Sequence, residues 1–167
     1  MPRAARSTAV RSALCLAALG VAATSCTSGG TVSVRATSPS PDAQGACTAL
    51  IAKLGQTVDG LAKRKVSPAS PYTAAWGDPA VTLRCGVAVK PADAHTAAAE
   101  INGVAWQTHE LGDVVQWVTD GRTVGVELRV PLTYTSQENV LSAVGDAVTA
   151  TVPASSQTPA VDAPLTG

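Results

Sequence analysis

The sequence predicts an α+β domain in which an antiparallel sheet of about four to five strands carries an N-terminal and a C-terminal helix on one face. Apolar residues recur at spacings of three and four in two segments that lie at opposite ends of the globular region. Between these segments, apolar and polar residues alternate, and turn sequences such as Asn102-Gly103 interrupt the alternation. This order of elements favours a two-layer packing of helices on a sheet.

The first helix is predicted from a stripe of apolar residues that begins just after Ala46. Gly55 lies within the stripe, and because glycine costs about 1 kcal/mol relative to alanine in a helix, we expect a weak or bent helix there. Lys63-Arg64-Lys65 follows, where cations suit the negative end of the helix dipole. Such a run could also bind lipid head groups, but three charges fall short of a polybasic cluster, so a solvated helix end is the preferred interpretation. The stripe consists of Cys47, Leu50, Ile51, Leu54, Val58 and Leu61.

The middle of the chain has the period of two that is typical of strands. In the segment after Gly121 the alternation places Glu127 and Arg129 opposite the apolar residues, on a face expected to be wet or lightly covered. A helical turn or loop is expected for residues 91–99. The predicted strands are Tyr72–Trp76, Val81–Val87, Glu100–Ile101 paired with Val104–Trp106 across Asn102-Gly103, and Val114–Thr119 paired with Arg122–Val130 across Asp120-Gly121.

A second helix is predicted after Pro131, which ends the last strand. Thr135 and Glu138 have the spacing of a capping box. The apolar face of this helix then consists of Val140, Leu141, Val144 and Val148.

The N-terminus has the order of an export signal. Arg3, Arg6 and Arg11 precede an apolar run over residues 12–23, and Ala23-Thr24-Ser25-Cys26 follows. The run is about 12 residues long, whereas a membrane-spanning helix needs about 20. A cysteine directly after small residues resembles a bacterial lipobox, in which the thiol of the first mature residue is acylated. We therefore expect lipidation at Cys26, and the alternative is an ordinary secretory signal that releases a soluble protein.

These features divide the chain into four segments and predict its location. Residues 1–25 are expected to be a lipoprotein-type signal peptide, residues 26–44 a flexible tether and residues 45–150 a single α+β domain. Residues 151–167 are rich in Pro, Ser, Thr and Ala and are expected to be disordered. The predicted location is the outer face of the cell membrane, with secretion as the alternative.

Composition limits the kinds of partner and predicts a disulfide. Removing residues 1–25 takes away three arginines and no acid, which leaves nine basic and twelve acidic residues and a net charge of −3. That balance gives no electrostatic footprint for nucleic acid or for anionic lipid. Cys47 and Cys85 are the remaining cysteines of the mature chain besides Cys26. Both lie on predicted apolar faces, and export implies an oxidising compartment, so we predict that they form a disulfide.

The chain lacks the motifs of common enzyme and metal sites. It contains no GxSxG, HExxH, SxxK, CxxC or phosphate-binding glycine loop, and no cofactor or metal is predicted. His109 and Glu110 are adjacent, but neighbours in a strand point to opposite faces and would not converge. His95 lies among small residues in a predicted loop. No catalytic residue is therefore assigned.

The tryptophans are the other candidates for recognition. Trp76 abuts the turn Gly77-Asp78-Pro79, and Arg84 lies on the outward face of the next predicted strand. If Trp76 and Arg84 lie within reach of each other, Trp76, Asp78 and Arg84 would form a small recognition patch for a peptide or glycan. The alternatives are that Trp76 packs at the edge of the core and that Arg84 pairs with a nearby acid. Trp117, in mid-strand, is expected to pack in the core of this Phe-free chain.

Several short blocks resemble an actinobacterial family catalogued as domain of unknown function 3515. The resemblance covers roughly residues 46–149, and it departs at Gly55, where a proline is expected. It implies a small exported or membrane-associated protein, often a lipoprotein, and it brings no activity and no catalytic residue. The blocks are Ala75-Trp76-Gly77-Asp78-Pro79, Leu83-Arg84-Cys85-Gly86, Asn102-Gly103-Val104-Ala105-Trp106 and Gly121-Arg122.

Two functions remain open from the sequence. The first is a non-enzymatic, lipid-anchored module that binds an envelope protein, peptide or glycan. The second is a cell-wall hydrolase or transferase whose site no motif reveals. Convergence of His109, Asp78 and a hydroxyl group in a deep pocket would favour the second function, and scattered polar residues on a shallow surface would favour the first.

Overall fold

An eight-stranded antiparallel sheet with two helices forms most of the fold in the computed structural model, which describes residues 30–90 and 96–156. The α+β class and the antiparallel pairing are as predicted, but the sheet is larger than four to five strands. In chain order the elements are β1 (Val32–Ser33), α1 (Pro41–Leu54), β2 (Thr57–Val58), β3 (Leu61–Arg64), β4 (Val66–Ser67), β5 (Thr73–Trp76), β6 (Val81–Val87), β7 (Ala97–Ile101), β8 (Val104–Leu111), β9 (Val114–Thr119), β10 (Gly125–Pro131) and α2 (Gln137–Thr151).

The order of strands across the sheet is β2-β3-β5-β6-β10-β9-β8-β7. The central strand β10 pairs with both β6 and β9, so that Leu128 lies opposite Leu83 on one side and Trp117 on the other. Because residues that lie opposite each other share a face, this row fixes which side chains point towards the helices. We call the side that carries Leu128 the helix face and the side that carries Glu127 the polar face.

Both helices contact the helix face. The disulfide joins Cys47 of α1 to Cys85 of β6. Helix α2 packs closely on β8, because a Cβ added at Gly145 would lie 3.6 Å from the side chain of Val104. Aliphatic residues of the two helices and of β5, β6, β8 and β10 form one buried cluster together with Trp76 and Trp106. Burial of this surface is the main favourable term in folding.

Helix α1 begins earlier and ends earlier than the apolar stripe predicts. Pro41 opens the helix, a position where its missing N–H is not needed, and Gly55 follows the last helical residue with a φ of 65°. Glycine adopts positive φ without steric penalty, so Gly55 ends α1 instead of bending it. Val58 and Leu61, predicted to lie on the helix, belong instead to the β2–β3 hairpin, which turns at Asp59 and Gly60.

The basic run also lies outside α1. Lys63 and Arg64 belong to β3, where they pair with Trp76 and Ala75 of β5, and Lys65 follows. The prediction of a solvated helix end for these three residues is therefore wrong. The reason is that the spacing of Val58 and Leu61 fits a helix as well as it fits two short strands.

Residues 30–40, which we call the strap, lie within the predicted tether but contact the domain. Strand β1 pairs in parallel with β4, and the hydroxyl of Thr37 donates to the carbonyl of Cys85 at 2.5 Å. Pro39 is buried against Gly86, whose φ is 85°, and a Cβ on Gly86 would lie 2.6 Å from that proline ring. The predicted tether of residues 26–44 therefore includes a paired strand and the start of α1.

Three further local predictions differ from the structure. The β9–β10 connection spans residues 120–124 instead of two residues, with a register shift at Gly125 and Val126. Ala97, placed in a helical turn or loop by sequence, begins strand β7. The N-cap of α2 is Ser136 and makes no side-chain hydrogen bond, so the predicted capping box does not form.

The start of the predicted C-terminal tail also takes part in the fold. Thr151 ends α2, and Ala154 bridges to Arg122. The amide of Ser155 donates to the carbonyl of Gly121 at 2.8 Å. These contacts extend the described fold past the predicted boundary at residue 150.

Candidate functional site

The structure does not bring the predicted recognition patch together. Trp76 lies opposite Val81, and Thr73 lies opposite Arg84. Trp76 therefore belongs to the helix face, where it is fully buried, whereas Arg84 belongs to the polar face. The two side chains are separated by the sheet itself and cannot contact one ligand.

Arg84 instead belongs to an ion-pair network centred on Glu127, its cross-strand neighbour. Arg84 donates to both carboxylate oxygens of Glu127, through Nε at 2.8 Å and Nη2 at 2.5 Å. Arg129 adds a donor at 2.9 Å, and the amide of Gln116 adds another at 2.5 Å. With four donors and 3% exposure, the Glu127 carboxylate has no free position for a substrate.

The charge of Glu127 is stabilised by these partners. Burial by itself raises the pKa of a carboxyl group, but the hydrogen bonds and charge of Arg84, with Arg129 and Gln116, outweigh it and hold the pKa of Glu127 below its ordinary value. The group remains ionised at neutral pH and serves to hold strands β6, β9 and β10 together. This network was not predicted, because the sequence pattern placed Glu127 on a solvated face.

Asp78, the third residue of the predicted patch, lies at the β5–β6 turn. Its carboxylate is 75% exposed and lies 3.6 Å from Nη1 of Arg64, which also donates to the carbonyl of Gly77 at 2.7 Å. Nearby, the hydroxyl of Tyr134 donates to the carbonyl of Pro79 at 2.7 Å. Partial burial and the adjacent Asp78 charge raise the pKa of Tyr134, so this phenol stays protonated as a donor.

The residues that would favour a hydrolase do not converge. His109 lies on β8, and Asp78 directly follows the turn residue after β5. These two strands are four positions apart in the sheet, and neighbouring strands are about 4.8 Å apart. These two residues are therefore about 19 Å apart or more. His109 and Glu110 are exposed and belong to opposite faces. Across residues 30–90 and 96–156, no group of three or more His, Cys, Asp or Glu side chains could hold a metal ion.

The feature best suited to binding is an open cleft of about 380 Å³ beside the start of α2. Trp117 forms part of its wall and is half-buried, in contrast to the fully buried Trp76 and Trp106. The indole Nε1 of Trp117 donates to Oε1 of Gln137 at 3.1 Å, which fixes the orientation of the ring. We call this site the Trp117 cleft; its lining consists of Ile101, Thr108, Glu110, Val115, Trp117, Thr135, Gln137 and Glu138.

The chemistry of the Trp117 cleft favours a positively charged ligand. Its lining includes two carboxylic acids, Glu110 and Glu138, and no basic residue. An aromatic face attracts cations through its negative quadrupole, and carboxylates add Coulomb attraction. The hydroxyl of Thr108 donates to the carbonyl of Ala97 at 3.4 Å and can still accept a hydrogen bond, whereas the hydroxyl of Thr135 can donate or accept. The prediction that Trp117 packs in the core is only partly fulfilled, since part of its side chain stays accessible.

The structure forms the predicted disulfide between Cys47 and Cys85, whose α-carbons are 5.5 Å apart. Both cysteines are fully buried. Of the other predicted features, Cys26 and His95 lie outside the described residues. No helix in the described part of the chain has the length and apolar character needed to cross a membrane.

The comparison with known proteins identifies a family. The family model described as "Protein of unknown function (DUF3515)" matches residues 8–157. No curated protein and no solved structure matches the chain at a significant level. The matched residues include the N-terminal segment, both cysteines of the disulfide and the Trp117 cleft, and they make up most of the chain. The chain therefore belongs to the DUF3515 family.

Proposed function

We propose that this protein is a lipid-anchored, non-enzymatic binding module of the cell envelope and that the Trp117 cleft is its recognition site. The observation that carries the proposal is the cleft itself, in which a half-buried aromatic ring lies beside two carboxylic acids. The anchor is supported by the lipobox-like Ala23-Thr24-Ser25-Cys26. The proposed location is the outer face of the membrane.

The ligand proposed for the cleft is an extended peptide with a lysine side chain. The ammonium group would lie over the Trp117 ring and between Glu110 and Glu138. The hydroxyl of Thr108 would accept a hydrogen bond from the peptide backbone, and that of Thr135 would donate or accept one. The cleft is open to solvent, which suits an extended segment better than a small enclosed substrate. A glycan that carries a free amine would present similar chemistry and is the alternative ligand.

The alternative, a cell-wall hydrolase or transferase, gains no support from the described residues. A nucleophile needs a base within hydrogen-bond reach, and a glycosidase needs two carboxylic acids that are free to act on one bond. His109 and Asp78 are far apart, and the buried carboxylate of Glu127 is occupied by four donors. The binding function is therefore the better-supported proposal.

The anchor predicts a specific modification of the mature chain. Intact-mass measurement of protein extracted from membranes should find a chain that begins at Cys26 and carries added acyl mass. A Cys26→Ser variant should lose this mass and leave the membrane fraction, with the Cys47–Cys85 disulfide intact as the control for folding. An unmodified mature chain recovered only from the culture fluid would contradict the anchor.

The cleft predicts a loss of peptide binding in a Trp117→Ala variant. A short acetylated peptide with a central lysine serves as the probe, and the same peptide with acetyl-lysine is the matched ligand. Loss of a cation–π contact of about 0.5–2 kcal/mol should weaken binding of the lysine peptide by roughly 2- to 30-fold. Isothermal titration calorimetry measures the affinity, and thermal unfolding reports any loss of stability.

Two matched variants separate recognition from folding. Trp117→Phe retains an aromatic face and should keep most of the affinity, whereas Glu138→Gln removes one charge near the cleft rim and should weaken binding. The acetyl-lysine peptide should bind weakly to every variant because it has no charge. If Trp117→Ala binds the lysine peptide as well as the native protein does, the cleft is not the recognition site.

A further inference from the structure

Three loops lie side by side at one end of the sheet. Hydrogen bonds connect these loops to one another, and Arg64 connects one of them to Gly30, where the described chain begins. Nη2 of Arg64 donates to the carbonyl of Gly30 at 2.9 Å, and Nη1 of the same guanidinium donates to Gly77. Across the neighbouring strands, Tyr134 donates to Pro79, and the amide of Leu132 donates to the carbonyl of Asp113 at 2.8 Å. We call this the Leu132 end: residues 77–79, 111–113 and 132–134.

The chain that links Gly30 to the proposed acylated cysteine is short. Cys26 and Gly30 are four residues apart, and an extended chain spans at most about 3.6 Å per residue. Gly30 therefore lies within about 14 Å of Cys26. A tether that reached residue 44, as the sequence predicted, would have allowed more than 60 Å by the same rule. The strap removes most of that reach by pairing with the domain.

The Leu132 end carries the two large hydrophobic side chains that remain exposed among the described residues. Leu132 is 49% exposed and Leu111 is 44% exposed. They lie at the same end of the sheet, since Leu111 lies opposite Val114 in the β8–β9 hairpin and the amide of Leu132 donates to the carbonyl of Asp113 in that hairpin's turn. Burial of each leucine in an apolar phase would be favourable by about 1 kcal/mol or more.

Charge at the Leu132 end is mixed, because exposed acids and bases both lie near it. Asp78 is paired with Arg64, and Lys63 and Lys65 lie on either side of that arginine in the chain. The other exposed acids are Asp113 of the 111–113 loop and Glu110, which directly precedes that loop. A lysine near an anionic membrane surface contributes about 1 kcal/mol of attraction. The lipid-head-group interpretation set aside for Lys63-Arg64-Lys65 on sequence grounds thus fits the place of this run beside the strap.

We propose that the Leu132 end rests on the lipid surface, with Leu111 and Leu132 inserted at the head-group level. This inference depends on the lipid anchor of the proposed function. The opposite end of the sheet, at the β7–β8 turn and the 120–124 loop, is about 26 Å away, because β8 has eight residues at about 3.3 Å each. Glu110 directly precedes Leu111, so the Trp117 cleft opens close to the membrane surface.

The orientation can be tested with fluorophores at the two ends of the lipidated, full mature protein. Thr133→Cys places a thiol beside Leu132, and Ser156→Cys places one at the opposite end, next to residues that bond to Gly121; both positions are exposed. Each variant is reconstituted in phosphatidylcholine vesicles with a minority of phosphatidylglycerol. Lipids with a nitroxide on the head group should quench the label at residue 133 severalfold more than the label at residue 156.

Two further variants test the cause of the orientation. Leu111→Ser with Leu132→Ser should reduce quenching at residue 133 while the protein still floats with the vesicles. A flexible Gly/Ser insert of about a dozen residues between Cys26 and Gly30, which adds a root-mean-square span of roughly 20 Å, should also reduce it. Both sets of changes lie outside the buried core, and thermal unfolding verifies the fold.

The outcomes distinguish the orientation from the anchor. Failure of the native protein to float with vesicles would refute the lipid anchor and, with it, this inference. Flotation with equal quenching at residues 133 and 156 would leave the anchor standing and overturn the orientation. Undiminished quenching in the double serine variant would show that the two leucines do not hold the domain on the membrane.

Discussion

Removal of the Cys47–Cys85 disulfide is expected to lower the free energy of unfolding by about 2–5 kcal/mol. The two cysteines are 38 residues apart, so the bond restricts a long loop in the unfolded chain. It also ties α1 to β6 at a fully buried point. The variant that measures the effect is Cys47→Ala with Cys85→Ala, which leaves no free thiol in the core, and urea denaturation gives the unfolding free energy.

Chemical reduction of the native protein is the matched control for this prediction. Reduction breaks the same bond without removing the sulfur atoms from the core, so the difference between the two experiments measures the packing contribution of those atoms. The reduced protein should be destabilised somewhat less than the double variant. Equal denaturation midpoints for the oxidised and reduced native protein would show that the bond does not restrict the unfolded chain.

Truncation of Glu127 is expected to be the second costly change, with a loss of about 3–5 kcal/mol in a Glu127→Ala variant. The substitution leaves the largely buried guanidinium of Arg84 without its carboxylate, and it also removes the acceptor for Gln116 and Arg129. Replacing both members of the pair, as Arg84→Met with Glu127→Leu, should recover much of the loss because no largely buried charge is left unpaired, and Arg129, which is 44% exposed, can be solvated by water. Denaturation midpoints compare the variants, and a double variant as unstable as Glu127→Ala would contradict this account.

The same network predicts a pH dependence of stability. The folded protein holds the pKa of Glu127 below its ordinary value of 4.5, so ionised Glu127 stabilises the fold at pH values above that value. This contribution is lost as the pH falls below 4.5 and passes through the lowered pKa of the folded state. Glu127→Gln cannot titrate, so its unfolding free energy should fall less steeply over that acidic range than that of the native protein.

Local patterns predicted the elements that have one clear periodicity. Strand β6 alternates buried Val81, Leu83 and Cys85 with less buried residues, as expected, and Asn102-Gly103 forms the turn of the β7–β8 hairpin with positive φ at both positions. The inward orientation of Cys47 and Cys85 followed from the same reasoning. The helix α2 appears where its apolar stripe lies.

The β2–β3 hairpin and the strap could not be predicted in the same way. Val58 and Leu61 satisfy a helical spacing, although Asp59-Gly60 between them is a hairpin turn sequence that was available as a cue. The strap has the composition of a linker. Its order depends on contacts with residues far along the chain, such as the carbonyl of Cys85, which no local pattern reveals.

The candidate site was harder to predict because it depends on how elements meet. Trp76 and Arg84 are close in sequence and flank one turn, yet the strand register places them on opposite faces. Trp117 is on a core-facing strand position, but α2 begins only at Gln137, beside the ring, and leaves part of the indole uncovered. The extent of that exposure is set by the start of a helix distant in sequence.

The strap gives the domain a defined route for mechanical load. Force applied at the N-terminus acts first on β1, which pairs with β4. It then acts on Thr37, which is hydrogen-bonded to Cys85, and on Pro39, which packs against Gly86. The next element, α1, is covalently joined to Cys85, the neighbour of that glycine. Tension from the N-terminal side is therefore transmitted to β6, an internal strand of the sheet. It does not act first on the two-residue edge strand β2, so it does not separate the strands one by one from that edge.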